Sequence, residues 1–300
     1  MGPTASGKSA LALAAAHTLG DVEIVSLDSM QVYRGLDVGT AKPTPAERAA
    51  VAHHVIDVVD PTEEWSAVRH QAAARAAVGD IESRAKRALL VGGTGLYVQA
   101  VVDDLRFPEE DLELRAELEA WTAEPGGVAA AYDELTGRDP AAAAKIDPHN
   151  ARRIVRALEV IRLTGRPFSS FGPGLDRFGP TAFAVRMAGV WVPRDVLNQR
   201  IGERFAAMRD AGLVDEVRHL LDGPALSRTA GQAIGYKELI AALSNGDGSV
   251  ETALDTAVRR TRSFARRQRM WFRRDPRITW LGVTGNPCEV LPALLATWTS

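Results

Sequence analysis

The chain has 300 residues, of which 46% are apolar and 25% charged, and a formal net charge of −2; a sizeable core can be buried, and no global basic signal points to nucleic acid. Its single cysteine, Cys288, excludes an internal disulfide framework and a cysteine-based zinc site, and suits a reducing cytoplasm. No uninterrupted apolar run approaches the ~18 residues of a membrane span, and the N-terminus lacks a signal-peptide layout.

Residues 2–9 read Gly2-Pro3-Thr4-Ala5-Ser6-Gly7-Lys8-Ser9 and fit G-x-x-x-x-G-K-[ST]. Glycines let such a loop curl, so that its N–H groups and the following helix N-terminus face anionic oxygens. Lys8 adds a point charge, and Ser9 is a candidate Mg²⁺ ligand. A strand normally precedes this loop. Here the loop begins at residue 2, so that strand is absent, and the expectation is that the natural chain starts upstream.

A helix is predicted over 7–19, a strand over 22–27, a loop over 28–45, a helix over 45–52 and a short strand over 55–59. A helix follows over 66–85. The buried strand 88–91 runs into Gly92-Gly93-Thr94-Gly95. This alternation predicts an α/β fold, a parallel sheet covered on both faces, with ligands beyond the carboxyl ends of its strands. The phosphate loop, Asp28 and Thr94 are all expected there. Asp28 reads either as part of a Mg²⁺ site or as a general base. His53, His54 and Asp57 invite a metal reading, but adjacent residues of an extended segment point to opposite faces.

From about Pro108 the pattern turns helical, with helices predicted over 112–121, 127–135 and 150–164. A β-rich stretch, 182–192, returns the chain to the sheet. Pro193 opens a long helix broken at Asp210-Ala211-Gly212, helical patterns continue to Arg274, and 278–281 reads as a last strand. The expected architecture is a P-loop NTPase-like core, 1–107 with 182–300, and a helical insertion, 108–181. The core's C-terminal part carries the second strong signal. From Arg259 to Arg274 there are eight arginines and no acidic residue. Arg259, Arg262, Arg266, Arg269 and Arg273 share one stripe of a helix, with Phe264, Trp271 and Phe272 towards the other side. Like charges so aligned suit a polyanion. Arg152, Arg153 and Arg156 suggest a second contact to it.

Together these segments resemble the tRNA dimethylallyltransferase family. The resemblance rests on residues 2–9, 28–43 (DSMQVYRGLDVGTAKP), 53–57 (HHVID), 92–97 (GGTGLY), 147–159 (DPHNARRIVRALE), 233–238 (AIGYKE) and 267–273 (RQRMWFR), and spans nearly the whole chain. It implies transfer of a dimethylallyl group from its diphosphate to N6 of an adenine next to the tRNA anticodon, with Mg²⁺ dependence, as a cytoplasmic monomer. It implies Asp28 and Thr94 at the reacting centre. It also maps tRNA contacts onto Asp28, Ser29, Met30, Gln31, Thr94, Arg115, Arg152, Arg153, Ile154, Val155, Arg156, Gln232, Ala233, Ile234, Gly235, Tyr236 and Lys237. Arg200 and Arg204, on the helix after Pro193, are candidates to reach the diphosphate. Met30 stands where arginine or alanine is common in the family, and Glu64-Trp65-Ser66 replaces a tyrosine-containing version. The competing readings are a phosphate-loop kinase, an isopentenyltransferase acting on free adenine nucleotides, and a non-catalytic RNA-binding protein.

Overall fold

The computed structural model of the protein describes residues 1–300 except 104, 106, 172–174, 176, 245–247 and 300. The chain divides into two compact units, residues 1–103 with 180–300, and residues 104–179.

In the first unit, residues 1–7 form an irregular loop that enters α1 (Lys8–Leu19). Ala5 and Gly7 take left-handed φ values of 60° and 86°. Gly7 needs its glycine twice, because a side chain there would also overlap the ring of Pro287. The chain continues through β1 (Val22–Ser26), α2 (Pro45–Ala50), β2 (His53–His54), α3 (Ala67–Ser83), β3 (Arg87–Val91) and α4 (Gly95–Val102). Strand β1 is buried along its length, as its run of Val, Ile and Val requires. It pairs in parallel with β2 on one side and with β3 on the other. Both β1 and β3 therefore end on the same edge, where Leu27 N–H donates to the Val91 carbonyl at 2.8 Å.

The strand expected over 55–59 does not form. Val55 and Asp57 have φ of 61° and 56°, which no strand accommodates, and Tyr33 and Val59 make only an isolated bridge. Asp57 is held in that bend by Lys42 at 2.6 Å and Arg48 at 2.5 Å. Of the β-rich stretch 182–192, only β4 (Met187–Trp191) is a strand. It pairs in parallel with β5 (Ile278–Gly282).

Between those two strands run α9 (Arg194–Asp210), α10 (Leu213–Leu221), α11 (Tyr236–Ser244) and α12 (Val250–Phe272), and α13 (Leu291–Thr299) closes the chain. The predicted break falls at Gly212, φ 93°, between α9 and α10. The core gathers Leu27, Tyr33, Leu36, Ile201, Leu213 and Tyr236.

A mostly apolar cavity of about 540 Å³ separates β3 from β4, lined among others by Leu11, Val98, Phe183, Met187 and Trp298. Met1 sits at its end. The Met1 amine donates to the Ala188 carbonyl at 2.7 Å, Val190 N–H donates to the Met1 carbonyl at 2.9 Å, and Gly2 N–H reaches the Gly92 carbonyl at 3.4 Å. The two bonds to β4 are one rung of a parallel ladder, with Met1 opposite Gly189.

The second unit packs α5 (Leu112–Ala123), α6 (Gly127–Arg138), α7 (Pro140–Ala143) and α8 (Ala151–Thr164) around Leu118, Leu135, Ile154 and Leu158. Glu159 is fully buried there and receives Arg115 and Arg156, each at 3.0 Å. Burial alone would raise its carboxyl, but Arg115, the Asp111 N–H and Arg156 outweigh it and hold it below the usual range. Among the described residues, no helix is long and apolar enough to cross a membrane.

Candidate active site

The site forms where the carboxyl ends of β1 and β3 meet the phosphate loop. No side chain caps the N-terminus of α1, so its first-turn N–H groups are free to meet an anion. Lys8 lies in that turn. Burial lowers its ammonium to about 8; the Asp28 carboxylate opposes that shift and the Arg204 guanidinium adds to it. Those couplings place Lys8, Asp28 and Arg204 within electrostatic reach of one another. Arg204 is half-buried; its desolvation lowers its pKa, and Asp28 again opposes the shift. It donates to the Thr4 hydroxyl at 3.3 Å and to the Thr40 carbonyl at 3.4 Å. Arg200 bonds the Gly285 carbonyl, and its other terminal nitrogen is buried with no hydrogen-bond partner among the described residues.

Asp28 follows β1 directly. One carboxylate oxygen accepts the Met30 N–H at 2.9 Å, which orients the group and leaves the second oxygen for chemistry. Thr94 follows β3 and donates to the Ser29 hydroxyl at 3.3 Å. Gln31 is turned away from this opening. Its amide nitrogen donates to the Thr40 and Ala41 carbonyls at 3.3 and 3.2 Å, and its oxygen accepts from Ser26.

His70, which the sequence reading passed over, is fully buried behind Asp28. It accepts the Trp65 indole N–H at 3.1 Å and packs on Tyr97 at 4.6 Å between ring centres. Burial pulls it down to about 4, against Asp28 and the Ser26 carbonyl, so it stays neutral. Trp65 in the divergent Glu64-Trp65-Ser66 segment thus supports the wall behind Asp28.

Helix α12 carries the arginine stripe. Arg259, Arg262, Arg266 and Arg273 are exposed. Arg269 is not; it stacks over Trp191 at 4.0 Å. Among the described residues none of the five forms an ion pair, whereas Arg260, on the other flank, pairs with Glu238. The buried face of α12 is Ala253, Leu254, Ala257, Thr261, Ala265, Gln268 and Phe272. The expected core aromatics Phe264 and Trp271 are only half-buried.

Gln268 is a second residue that sequence reading missed. Its oxygen accepts the Thr4 N–H at 2.9 Å and its nitrogen donates to the Gly93 carbonyl at 2.8 Å. The available signal was a glutamine in phase with the buried face of an arginine helix.

Several expected RNA contacts have no side chain to offer. Ala233 and Tyr236 are buried, and the Tyr236 hydroxyl bonds Glu216 and the Gly39 N–H. Gly235, φ 98°, shapes the backbone there. Ile154 and Val155 belong to the core of the second unit. Gln232 and Lys237 are exposed and bond each other at 2.7 Å, and Ile234 is half-buried. In the second unit, Arg152 and Arg153 are exposed, whereas Arg115 and Arg156 are committed to Glu159.

His54 pairs with Glu23 at 2.7 Å and His53 bonds the Val51 carbonyl at 2.7 Å. Among the described residues no group of three or more His, Cys, Asp or Glu could hold a metal ion.

The family model described as IPP transferase matches residues 31–275, and one described as isopentenyl transferase matches residues 1–58. The chain belongs to the IPP transferase family. It is 52% identical over 287 residues to a tRNA dimethylallyltransferase of Kineococcus radiotolerans, covering 94% of this chain and 89% of that one. It is 49% identical over 288 residues to one from Corynebacterium glutamicum, covering 96% and 94%. Among solved structures it is similar to a tRNA isopentenylpyrophosphate transferase from Bacillus halodurans, with TM-score 0.70 and 39% identity, covering 99% and 95%. The IPP transferase match embraces Asp28's neighbour Gln31, the Thr94 turn and α12.

Proposed function

We infer that the protein transfers a dimethylallyl group from dimethylallyl diphosphate to N6 of an adenine in tRNA, next to the anticodon, releasing diphosphate. The observation that carries this reading is the placement of Lys8 and Asp28. A cation suited to a leaving diphosphate lies within electrostatic reach of a carboxylate suited to an incoming amine.

The donor's diphosphate lies against the loop N–H groups, Lys8, Arg204 and Arg200. As the allylic C–O bond breaks, its electron pair goes to the diphosphate, and these donors stabilise that growing charge. The adenine nitrogen forms the new bond to the allylic carbon. Its lone pair is delocalised into the ring, so loss of a proton as the bond forms assists attack, and the free oxygen of Asp28 takes that proton. Thr94 and Ser29 border the reacting centre. The adenine must leave its stacked loop to reach them. The exposed arginines of α12, with Arg152 and Arg153 of the second unit, meet RNA phosphates.

The Ser9 hydroxyl is exposed and makes no protein hydrogen bond among the described residues, which fits one ligand of a Mg²⁺ ion otherwise held by diphosphate oxygens and water. When bound, the ion would supply additional charge stabilisation for the leaving group.

For the sheet, we propose the phosphate-loop arrangement, in which a parallel strand leading into Met1 lies between β3 and β4. The parallel rung that Met1 makes with β4 and the apolar lining of the cavity support that reading. Extending the chain before Met1 by a five-residue apolar strand, matching the five residues of β3 and β4, should raise Tm. An unchanged or lower Tm argues against this placement.

The functional reading is tested by incubating the protein with labelled dimethylallyl diphosphate, Mg²⁺ and bulk tRNA, followed by nucleoside analysis. Prenylated adenosine is expected. A phosphorylated product from ATP with no prenylated nucleoside would overturn it in favour of a kinase. Prenylation of free adenine nucleotides in preference to tRNA would favour the free-nucleotide reading.

A further inference from the structure

The buried face of α12 holds five apolar side chains, a threonine and one carboxamide, Gln268, only 6% exposed. A buried amide is costly unless both ends are satisfied. Here both are, by backbone groups from two different catalytic loops: Thr4 N–H in the phosphate loop and the Gly93 carbonyl beside Thr94. The fit is close. A Cβ at Gly93 would stand 2.6 Å from the Gln268 nitrogen, and one at Gly95 would overlap Trp271, one turn further along the same helix. The Gly93–Gly95 turn is therefore gripped from α12 at both ends. The residue next to Gln268 is Arg269, stacked on Trp191, and exposed Arg266 lies two positions back.

We propose that Gln268 is a positioning residue that couples RNA docking on the arginine face of α12 to the geometry of the diphosphate cradle. A shift of α12 when phosphates neutralise its arginines is passed through one rigid carboxamide to Thr4 and Gly93 together. Coupling of this kind is reciprocal, so RNA tightens diphosphate binding by the factor by which diphosphate tightens RNA binding. The proposal rests on the transferase reading for the identity of the two ligands.

The test measures the Kd of inorganic diphosphate with Mg²⁺, alone and with a saturating synthetic anticodon stem–loop, for the parent and for Gln268→Met. The parent should bind diphosphate about 5-fold or more tighter with RNA present, at the low end of measured couplings. Gln268→Met should bring that ratio close to one while the Kd of RNA alone changes little, and should lower kcat more than it raises the KM for RNA. General loosening of the fold weakens both ligands without removing their ratio, so the ratio separates positioning from a merely structural role. Should Gln268→Met not fold, Gln268→Asn keeps the carboxamide but is one carbon too short to bridge Thr4 and Gly93, and takes its place. A parent ratio of one, or a variant ratio equal to the parent's, overturns the proposal. Failure of the transferase reading would show separately, as absence of prenylated adenosine from the parent.

Discussion

Arg204 donates to the Thr4 hydroxyl at 3.3 Å across a sequence separation of 200 residues, tying α9 to the phosphate loop. It is a half-buried guanidinium within electrostatic reach of Lys8. Two like charges gathered there favour a doubly anionic ligand. Arg204→Met removes a charged hydrogen-bond donor, worth about 1.5–3 kcal/mol. The KM for dimethylallyl diphosphate should rise about 10- to 100-fold with little change in the KM for tRNA, as steady-state kinetics would show.

Asp28→Asn keeps the acceptor for the Met30 N–H and removes the base. Transfer should fall by about 10²–10⁴, the usual contribution of a general base, while tRNA affinity in a filter-binding assay stays near the parent's. Wild-type turnover in this variant would remove Asp28 from its role.

Lys8 gives the site a pH signature. Its ammonium is depressed from 10.5 to about 8 by burial. Diphosphate affinity of the free enzyme should therefore weaken as pH rises through about 8. Stability runs the other way. Between 8 and 10.5 the unfolded chain binds more protons at this position, so this group's contribution rises with pH across that window and is lost as pH falls through 8. Lys8→Met should raise Tm at pH 7 and abolish diphosphate binding, and calorimetry reads both effects.

Arg266 is exposed, whereas Arg269 rests on Trp191. Arg266→Ala should weaken tRNA binding and reduce the slope of log K against log salt by about one, the loss of one phosphate contact. An unchanged slope would mean that this face meets water.

Arg115 behaves differently, because it holds the fully buried Glu159. Removing one partner of a buried pair costs about 3–5 kcal/mol, and Arg156, also on Glu159, limits that loss. Arg115→Ala should lower Tm clearly, and any loss of tRNA binding should follow unfolding of the second unit rather than precede it.

Much of this was legible because periodicity and turn chemistry are local. The strands expected over 22–27 and 88–91, and the break at Gly212, were legible from a few neighbouring residues, although β3 is half-buried along its length where a buried strand was expected. The bend at Val55 and Asp57 was not. It is imposed by Lys42 and Arg48, which lie elsewhere in the chain and override the β propensity of 55–59. At the site, the phosphate loop and Asp28 announce themselves by motif and charge. Gln268 and His70 do not, because a neutral polar residue declares its role only through partners far away in sequence, Thr4 and Gly93 for one and Trp65 and Tyr97 for the other. The expected contacts at Ile154, Val155 and Tyr236 show the converse, where a family pattern follows packing as well as ligand contact.

The cavity between β3 and β4 has a thermodynamic consequence for the loop that ends it. Met1 and Gly2 bridge the two strand groups directly, bonding Ala188 and Val190 on one side and Gly92 on the other. The segment that cradles phosphates is therefore also a seam of the sheet. A diphosphate ordering that segment would act as a structural ligand, adding about 2.7 kcal/mol of stability at a hundred times its Kd. Opening of the seam would then be opposed by bound diphosphate, and slowed amide exchange across β3 and β4 would report donor binding before any chemistry takes place.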